Sequence, residues 1–397
     1  MSESRTVDRH ASWLELFFDL VVVVAVNQLA HLLHGDAHHG PGGLDIVTFV
    51  ALYLAIWLVW TAFTLYSNVA ADRVRVRAMF IGMAGIAIMA AAVPHSMDGR
   101  ASLFAGAYLI TTAVGGVAFQ NSGVVLLTWT AAWQNAGLLP WLLSFFFPQP
   151  WVKLGLWLFG LALTMFFSVM MSRGDQEAIL ERVNQGLADR AARKKLRVPW
   201  ARERPLPTVV AARLDAGHLV ERLGLFVIIV LGEAMLQVIS AVAGIEDWRP
   251  GHGEGWLMLL AVVSAFLLLI TLWGLNVRHA FTGGARLPTA ITLPAHFVVI
   301  ASVTIVAAGL GTAAAESAEH LNPSSTWLMC GGLTAFLVVV NLLVGHMRLW
   351  PARVAAELLP LVAALLAPWL PAAVVIAVLA VAAGGQLWAL SRTRSED

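Results

Sequence analysis

The segment WLELFFDLVVVVAVNQL, residues 13–29, is apolar enough to cross a bilayer, yet it contains Glu15, Asp19 and Asn27. A helix of about 20 apolar residues spans the hydrocarbon core of a membrane. Runs of this kind recur along the whole chain of 397 residues, which is 59% hydrophobic and 12% charged. A soluble domain carries about 25% charged residues. The sequence therefore predicts an all-α, polytopic integral membrane protein.

Twelve apolar segments predict twelve transmembrane helices, six in each half of the chain. With the N-terminus inside, 21 of the 25 Lys and Arg residues fall on the cytoplasmic side, which agrees with the positive-inside rule. We therefore expect both termini in the cytoplasm. Segment 353–367 is short and contains Pro360, so its full crossing is left open. The segments are 13–34, 45–67, 76–95, 102–120, 123–147, 152–172, 218–243, 256–277, 290–313, 325–347, 353–367 and 369–390.

The order of polar and apolar segments predicts five regions. These are a cytoplasmic tail (1–12), a first six-helix repeat (13–173), a cytoplasmic basic linker (174–216), a second six-helix repeat (217–391) and a second tail (392–397). In the linker an apolar residue recurs every four positions from Ile179 to Ala191, between basic flanks. This pattern favours either an amphipathic helix bound to anionic lipids of the inner leaflet or a solvated helix between the two halves.

The two halves resemble each other at their first spans. Aligning Glu15 with Glu221 pairs ELFFDLVVVVAVNQL with ERLGLFVIIVLGEAM. Each segment begins with Glu and has a polar residue twelve positions later, Asn27 in one and Glu233 in the other. Because six spans separate the segments, both begin on the cytoplasmic side. The halves are therefore predicted to be parallel repeats, as in some transporters.

Glu233 is the most informative polar residue of the second half, because it lies deep within an apolar span. A charged group at the bilayer centre costs roughly 2.5–3.5 kcal/mol on insertion scales, so such groups usually face a cavity or a partner. Glu233 is therefore a candidate for proton or cation coupling. The alternative is a protonated Glu233 that hydrogen-bonds a neighbouring helix and serves only packing.

Other polar groups near the inner ends of the spans also allow two interpretations, one functional and one structural. Glu15 and Asp19 share a helix face and are candidates to share a proton or a cation. Alternatively, Asp19 pairs with Arg222, which follows Glu221 at a similar depth. His296, in the ninth span, either titrates with one of the intramembrane carboxylates or packs as a hydrogen-bonded core histidine.

A histidine-rich segment lies at the outer end of the first span. Imidazole and carboxylate ligands suit zinc or a similar divalent ion, and exposed loop histidines are the alternative. The single Cys330 excludes a cysteine-based metal cage and an intrachain disulfide. No catalytic motif is present, so we expect no enzyme activity and no cofactor. We also expect no nucleic-acid partner. A homo-oligomer is compatible with the sequence. The metal-ligand candidates are His31, His34, His38 and His39, with Asp36 nearby.

Two segments carry a family resemblance. WLELFFDLVVVVAVNQLAHLL at 13–33 and HLVERLGLFVIIVLGEAM at 218–235 closely resemble the hallmark segments of the bacterial low temperature requirement A family, which is named for a growth phenotype. Pro294-Ala295-His296 resembles a third, less distinctive position. Asn27 departs from the pattern, because the family more usually has a small hydroxyl residue there. The resemblance implies a multi-pass protein of the bacterial plasma membrane.

Taken together, the acidic first spans in a twelve-span frame favour a secondary transporter or permease. Its site for a small ion or solute is predicted between spans 1 and 7, with Glu15, Asp19, Asn27, Glu221, Arg222, Glu233 and His296 as coupling candidates. Two alternatives stay open: a non-transporting accessory protein of the membrane, and an enzyme that processes lipids.

Overall fold

The fold consists of helices, most of them long, and is described here by a computed structural model. The helices are α1 (Trp13–His31), α2 (Gly43–Ala70), α3 (Val76–Ala92), α4 (Ala101–Ser122), α5 (Leu138–Leu143), α6 (Pro150–Met171), α7 (Ala216–Ala243), α8 (Gly253–Leu275), α9 (Thr289–Ala315), α10 (Pro323–Val344), α11 (Trp350–Leu366) and α12 (Ala372–Arg394). The structure describes residues 10–34, 40–70, 74, 76–122, 124–125, 137–171, 181, 184–186, 188–189, 192, 210–211, 214–243, 253–281, 287–345 and 349–394.

Eleven helical segments within these residues are long and apolar enough to cross a membrane. They confirm the prediction of an all-helical, multi-pass membrane protein. Residues 126–136 of the fifth predicted span, 123–147, lie outside the described ranges, as does most of the linker 174–216. The eleventh predicted span belongs to a candidate segment of 20 residues, Trp350–Trp369. The twelve-span count, the parallel repeats and the orientation stay predictions.

Short elements complete the helices. Val93–His95, Ser144–Phe146 and Ala367–Trp369 form 3₁₀ turns, and Asn276–Ala280 extends α8 as a π-helical turn. One feature departs from the all-α expectation: a two-residue parallel pair in which β1 (Val124–Val125) lies beside β2 (Val210–Ala211).

Local chemistry explains where several helices begin and end. At the start of α1 the Ser12 hydroxyl accepts a hydrogen bond from the backbone N–H of Glu15, and the Glu15 carboxylate accepts one from the backbone N–H of Ser12. This is a capping box, which satisfies donors that the first helical turn leaves free. Asn322 caps α10 through the N–H of Ser324, and Gly345 ends that helix with a positive φ of 68°, a conformation that costs glycine little.

The chain divides into two compact units. Unit 1 comprises Met1–Phe18, Ala55–Leu219 and Pro288–Ile291. In it α3 packs on α4, and α5 packs on α4 and α6. Its core is aromatic: Trp141 and Trp157 stack at 4.9 Å between ring centroids, and the Trp157 indole donates to the Ser144 hydroxyl at 3.0 Å.

Unit 2 comprises Asp19–Leu54, Val220–Leu287 and Thr292–Asp397. In it α8 packs along α12, α12 along α11 and α11 along α10. This division is not the predicted division into repeats, because residues 19–54 group with the second half of the chain. The predicted repeat boundaries therefore stay a prediction.

Candidate functional site

A buried ion pair joins α1 to α7 in unit 2. The Arg222 Nε donates to Asp19 Oδ2 at 3.1 Å, and Arg222 Nη2 donates to Asp19 Oδ1 at 2.6 Å. Both side chains are 0% exposed. The geometry is bidentate, the arrangement that the planar guanidinium and carboxylate groups favour. The structure thus confirms the predicted pairing of Asp19 with Arg222.

The physical role of this pair follows from its burial. Taking two charges out of water is costly, and their attraction offsets that cost only when the geometry is good and both ions are hydrogen-bonded. Once formed in such a place, the pair is hard to separate, because either ion alone would be buried without compensation. Asp19 and Arg222 therefore fix α1 against α7.

A second contact joins the same two helices through Glu233. The Asn27 Nδ2 donates to Glu233 Oε1, and Gln237 Nε2 donates to the same oxygen at 2.9 Å. Gln237 follows Glu233 by one helical turn on α7, so that the two side chains lie on one face. In the described part of the chain both hydrogen bonds to Glu233 end on Oε1, and no cationic side chain is paired with this carboxylate. We name Asn27, Glu233 and Gln237 the amide cradle.

The amide cradle lies inside the predicted membrane region. Glu233 precedes the end of α7 by ten residues, which is about 15 Å along the axis at 1.5 Å per residue. The predicted span 218–243 and the observed helix α7 both end at residue 243, and Glu233 lies just past the middle of each. Glu233 and Asn27 are half-buried, so the carboxylate is not sealed away.

His34 and Gln237 of the amide cradle both lie near Gly311 of α9. A Cβ atom at Gly311 would lie 3.6 Å from the Gln237 carbonyl oxygen and 3.7 Å from His34 Nε2. Burial lowers the pKa of His34, and the neighbouring His31 lowers it further. The centroids of these two imidazole rings are 5.2 Å apart.

The predicted metal site receives no support from the residues that the structure describes. Among them, no three His, Cys, Asp or Glu side chains gather as metal ligands. The remaining predicted ligands, Asp36, His38 and His39, lie outside the described residues. The metal site therefore stays a prediction.

Glu15 belongs to a separate cluster, in unit 1. Its Oε2 accepts hydrogen bonds from the backbone N–H and the hydroxyl of Ser12, both at 2.8 Å. The same oxygen lies 3.4 Å from His218 Nε2. Glu15 and His218 are each 2% exposed. Besides completing the capping box of α1, Glu15 thus contacts the first turn of α7.

Asn68 of α2 extends this cluster. Its Oδ1 accepts from the backbone N–H of Asp215 at 3.0 Å, and its Nδ2 donates to the Asp215 carbonyl at 2.9 Å. The Nδ2 also lies 3.1 Å from His218 Nδ1. Asp215 in turn accepts the backbone N–H of His218 on its Oδ1 at 3.1 Å. We name Ser12, Glu15, Asn68 and His218 the capping cluster.

The remaining predicted coupling residues are placed differently. His296 is 0% exposed, its Nε2 lies 3.2 Å from the Leu223 carbonyl oxygen, and its ring contacts those of Phe226 and Phe281. These contacts are those of a core histidine, the second of the two readings. Glu221 is half-buried on α7, directly before Arg222.

Four contributing residues escaped the sequence analysis: Ser12, Asn68, His218 and Gln237. Two of them carry a local signal. Ser12 and Glu15 match the S-x-x-E pattern that precedes an apolar run, and Gln237 follows Glu233 at the i,i+4 spacing. Asn68 and His218 are 150 positions apart, so that no local pattern relates them.

Comparison with known proteins gives the chain relatives but no known activity. The family model described as bacterial low temperature requirement A protein (LtrA) matches residues 10–386. An uncharacterized protein of Rhizobium meliloti (strain 1021) is 26% identical over 272 residues, which are 68% of this chain and 59% of that protein. The match thus spans less than two thirds of the relative's length. No solved structure matches the chain.

Proposed function

Since the chain belongs to the bacterial low temperature requirement A family and is a multi-pass membrane protein, we propose that it is a secondary transporter of the bacterial plasma membrane. Its coupling ion is a proton or a small cation, and the ion binds at Glu233. The observation that carries this proposal is the amide cradle: a half-buried carboxylate within a membrane span, held by two neutral amides.

The chemistry of the amide cradle suits reversible ion binding. Its donors, Asn27 and Gln237, are uncharged, so they orient Glu233 without neutralising it. Both donate to Oε1, which leaves Oε2 as the acceptor for a proton or a cation. Carboxylates within membrane spans are costly and typically mark ion pathways. A carboxylate kept only for packing would be expected in a dry, fully paired contact.

A conformational cycle can use the two contacts between α1 and α7 differently. The Asp19–Arg222 pair is buried and charged, and it would hold the helices together throughout the cycle. The Asn27–Glu233 bond is half-buried, and its loss costs about 1.5–3 kcal/mol, as for a hydrogen bond to a charged group, which is less than the cost of breaking a buried ion pair. Opening at the amide cradle would expose Glu233 to one side of the membrane, while the ion pair serves as the pivot.

The predicted internal repeat adds support. Asn27 and Glu233 occupy equivalent positions in the alignment of the two halves, and these are the residues that hydrogen-bond each other across 206 positions. Contact between equivalent residues is expected where a twofold axis passes between two repeats. Transporters with such repeats bind their ions at the repeat interface.

Proton flux into liposomes tests the proposal. Native protein and Glu233→Gln are reconstituted separately, a pH gradient is imposed, and the internal pH is followed with a trapped dye. A matched control is Glu357→Gln, which changes a half-buried carboxylate of α11 that likewise accepts from an amide, that of Asn341 at 2.7 Å. A parallel series uses a sodium gradient.

We expect flux with the native protein and with Glu357→Gln, and loss of flux with Glu233→Gln. Equal flux in all three variants would show that Glu233 is not the coupling group. Folded native protein without flux in either gradient would contradict ion coupling and would favour the accessory role.

A further inference from the structure

The capping cluster contains an amide whose orientation is fixed by the main chain. The Asn68 Oδ1 accepts the N–H of Asp215, and the Asn68 Nδ2 donates to the carbonyl of the same residue. Exchanging the oxygen and nitrogen of this amide would place donor against donor and acceptor against acceptor. The two backbone bonds therefore determine which side-chain atom is the nitrogen, an assignment that otherwise rests on the surrounding hydrogen bonds.

The same amide then determines the state of the imidazole. One hydrogen of the Asn68 Nδ2 is directed to Asp215, and the second is available to His218 Nδ1, which lies 3.1 Å away. Because an amide nitrogen donates and does not accept, His218 Nδ1 is the acceptor and carries no proton. In a neutral imidazole the proton then resides on the other nitrogen, Nε2, and this nitrogen faces Glu15 Oε2 at 3.4 Å.

We propose that Asn68 is a positioning residue that fixes His218 as the neutral, Nε2-protonated tautomer. The Nε2 proton of His218 then faces the Glu15 carboxylate at 3.4 Å from Oε2, and Nε2 has no hydrogen-bond partner among the described residues. This inference does not depend on the proposed transport function.

Burial maintains this state. His218 is 2% exposed and Asn68 is 5% exposed, so water does not readily replace the amide at Nδ1. Protonation of Nδ1 would set two donors against each other, and relieving that conflict by rotation would break both bonds to Asp215. The titratable groups that contact His218 in the described part of the chain are Glu15, at Nε2, and Asp215, at the backbone N–H.

Nuclear magnetic resonance of histidine reports the tautomer directly. The full-length protein is labelled with ¹³C and ¹⁵N in histidine only and reconstituted in lipid, and His218 is assigned by its absence in His218→Gln. A neutral imidazole gives two well separated ¹⁵N resonances and an imidazolium gives two similar ones, while the ring carbon shifts distinguish Nε2–H from Nδ1–H. We expect the Nε2–H pattern at neutral pH.

Asn68→Asp tests the positioning role. An aspartate oxygen would accept from Nδ1, so His218 is expected to carry two protons, between the carboxylates at positions 68 and 15. His296 is the internal control, because its Nε2 contacts the Leu223 carbonyl and its resonances should not move. A native spectrum with a proton on Nδ1 would overturn the tautomer, and an unchanged His218 in Asn68→Asp would overturn the role of Asn68. If Asn68→Asp does not fold, the neutral-pH spectrum of the native protein decides, because a proton on Nδ1 of His218 would by itself overturn the proposal.

Discussion

The two contacts between α1 and α7 in unit 2 both involve a carboxylate inside a predicted membrane span, but the partners of the two carboxylates differ. Asp19 faces Arg222, an opposite charge, and both side chains are fully buried. Glu233 faces two neutral amides and is half-buried. An ion pair cancels its own charge and excludes other ions. In the proposed function, a carboxylate held by neutral amides is the group that binds a proton or a cation.

Under the proposed function, this difference separates a structural contact from an ion-binding contact within one pair of helices. A polar residue inside a membrane span is often read as functional, but Asp19 shows that such a residue can be wholly engaged in holding helices together. The partner decides between the two roles, because only an uncompensated carboxylate has binding capacity left. Changes at the two contacts should therefore have unequal effects on stability.

Asp19→Asn is expected to have the largest effect on stability. It removes the carboxylate charge that the buried Arg222 guanidinium faces at 2.6 Å, and breaking a buried pair in this way typically costs about 3–5 kcal/mol. The measurement is the free energy of unfolding in mixed micelles, followed by tryptophan fluorescence. Glu233→Gln is the matched control, since it makes the same chemical change in the amide cradle, and it should cost much less. Equal losses would contradict the assigned difference.

Asp19→Leu combined with Arg222→Met is expected to recover most of that loss. Replacing both members of a buried ion pair by apolar residues of similar volume is often neutral or stabilising, by about 1–4 kcal/mol. The free energy of unfolding of the double variant should therefore be at least as large as that of the native protein. The free energy of unfolding of Asp19→Leu alone should be much smaller. A double variant as unstable as the single one would show that the pair contributes something besides compensated charge.

The sequence predicted the parts of this picture that depend on local pattern. Apolar runs located the spans because lipid requires about 20 apolar residues per crossing. The similar depth of Asp19 and Arg222, each near the start of its span, made their pairing one of the two interpretations of Asp19, and the structure contains this pair. Asn27 and Glu233 were recognised as equivalent positions, but their contact was not predicted, since an alignment of halves does not say which equivalent residues lie close together.

The capping cluster illustrates what the sequence did not yield. Glu15 was interpreted as an ion-coupling candidate because it shares a helix face with Asp19, four residues later. The S-x-x-E pattern with Ser12 predicts a capping box equally well, and the structure contains one. The contacts of His218 with Asn68 and Glu15 depend on the packing of three helices, and a single histidine near the end of a span shows no periodicity that would reveal them.

Gln237→Leu should have a smaller effect than the changes at the ion pair. It removes one of the two donors to Glu233 Oε1, and a single hydrogen bond to a charged group contributes about 1.5–3 kcal/mol. Leu236→Ala is a control on the same helix, at a side chain that is 51% exposed. Unfolding in micelles measures both variants. A loss for Gln237→Leu as large as that for Asp19→Asn would show that the amide cradle is also a structural lock.

The smallest expected effect is a dependence of stability on pH that arises at His34. Burial, the larger cause, and His31, the second cause, lower the pKa of His34 from its ordinary value of 6.5. At a pH between the lowered pKa of the folded protein and 6.5, the unfolded chain therefore binds more protons than the folded protein. Stability then rises with pH: the contribution is present above about pH 6.5 and is lost as the pH falls from there toward the folded pKa. Unfolding midpoints measured above and below pH 6.5 should differ less in His34→Gln than in the native protein. His31→Gln should reduce the difference without abolishing it, because burial is the larger cause. If the difference between the unfolding midpoints is unchanged in His34→Gln, the pH dependence belongs to another group. If the difference vanishes in His31→Gln, the charge of His31, rather than burial, is the dominant cause.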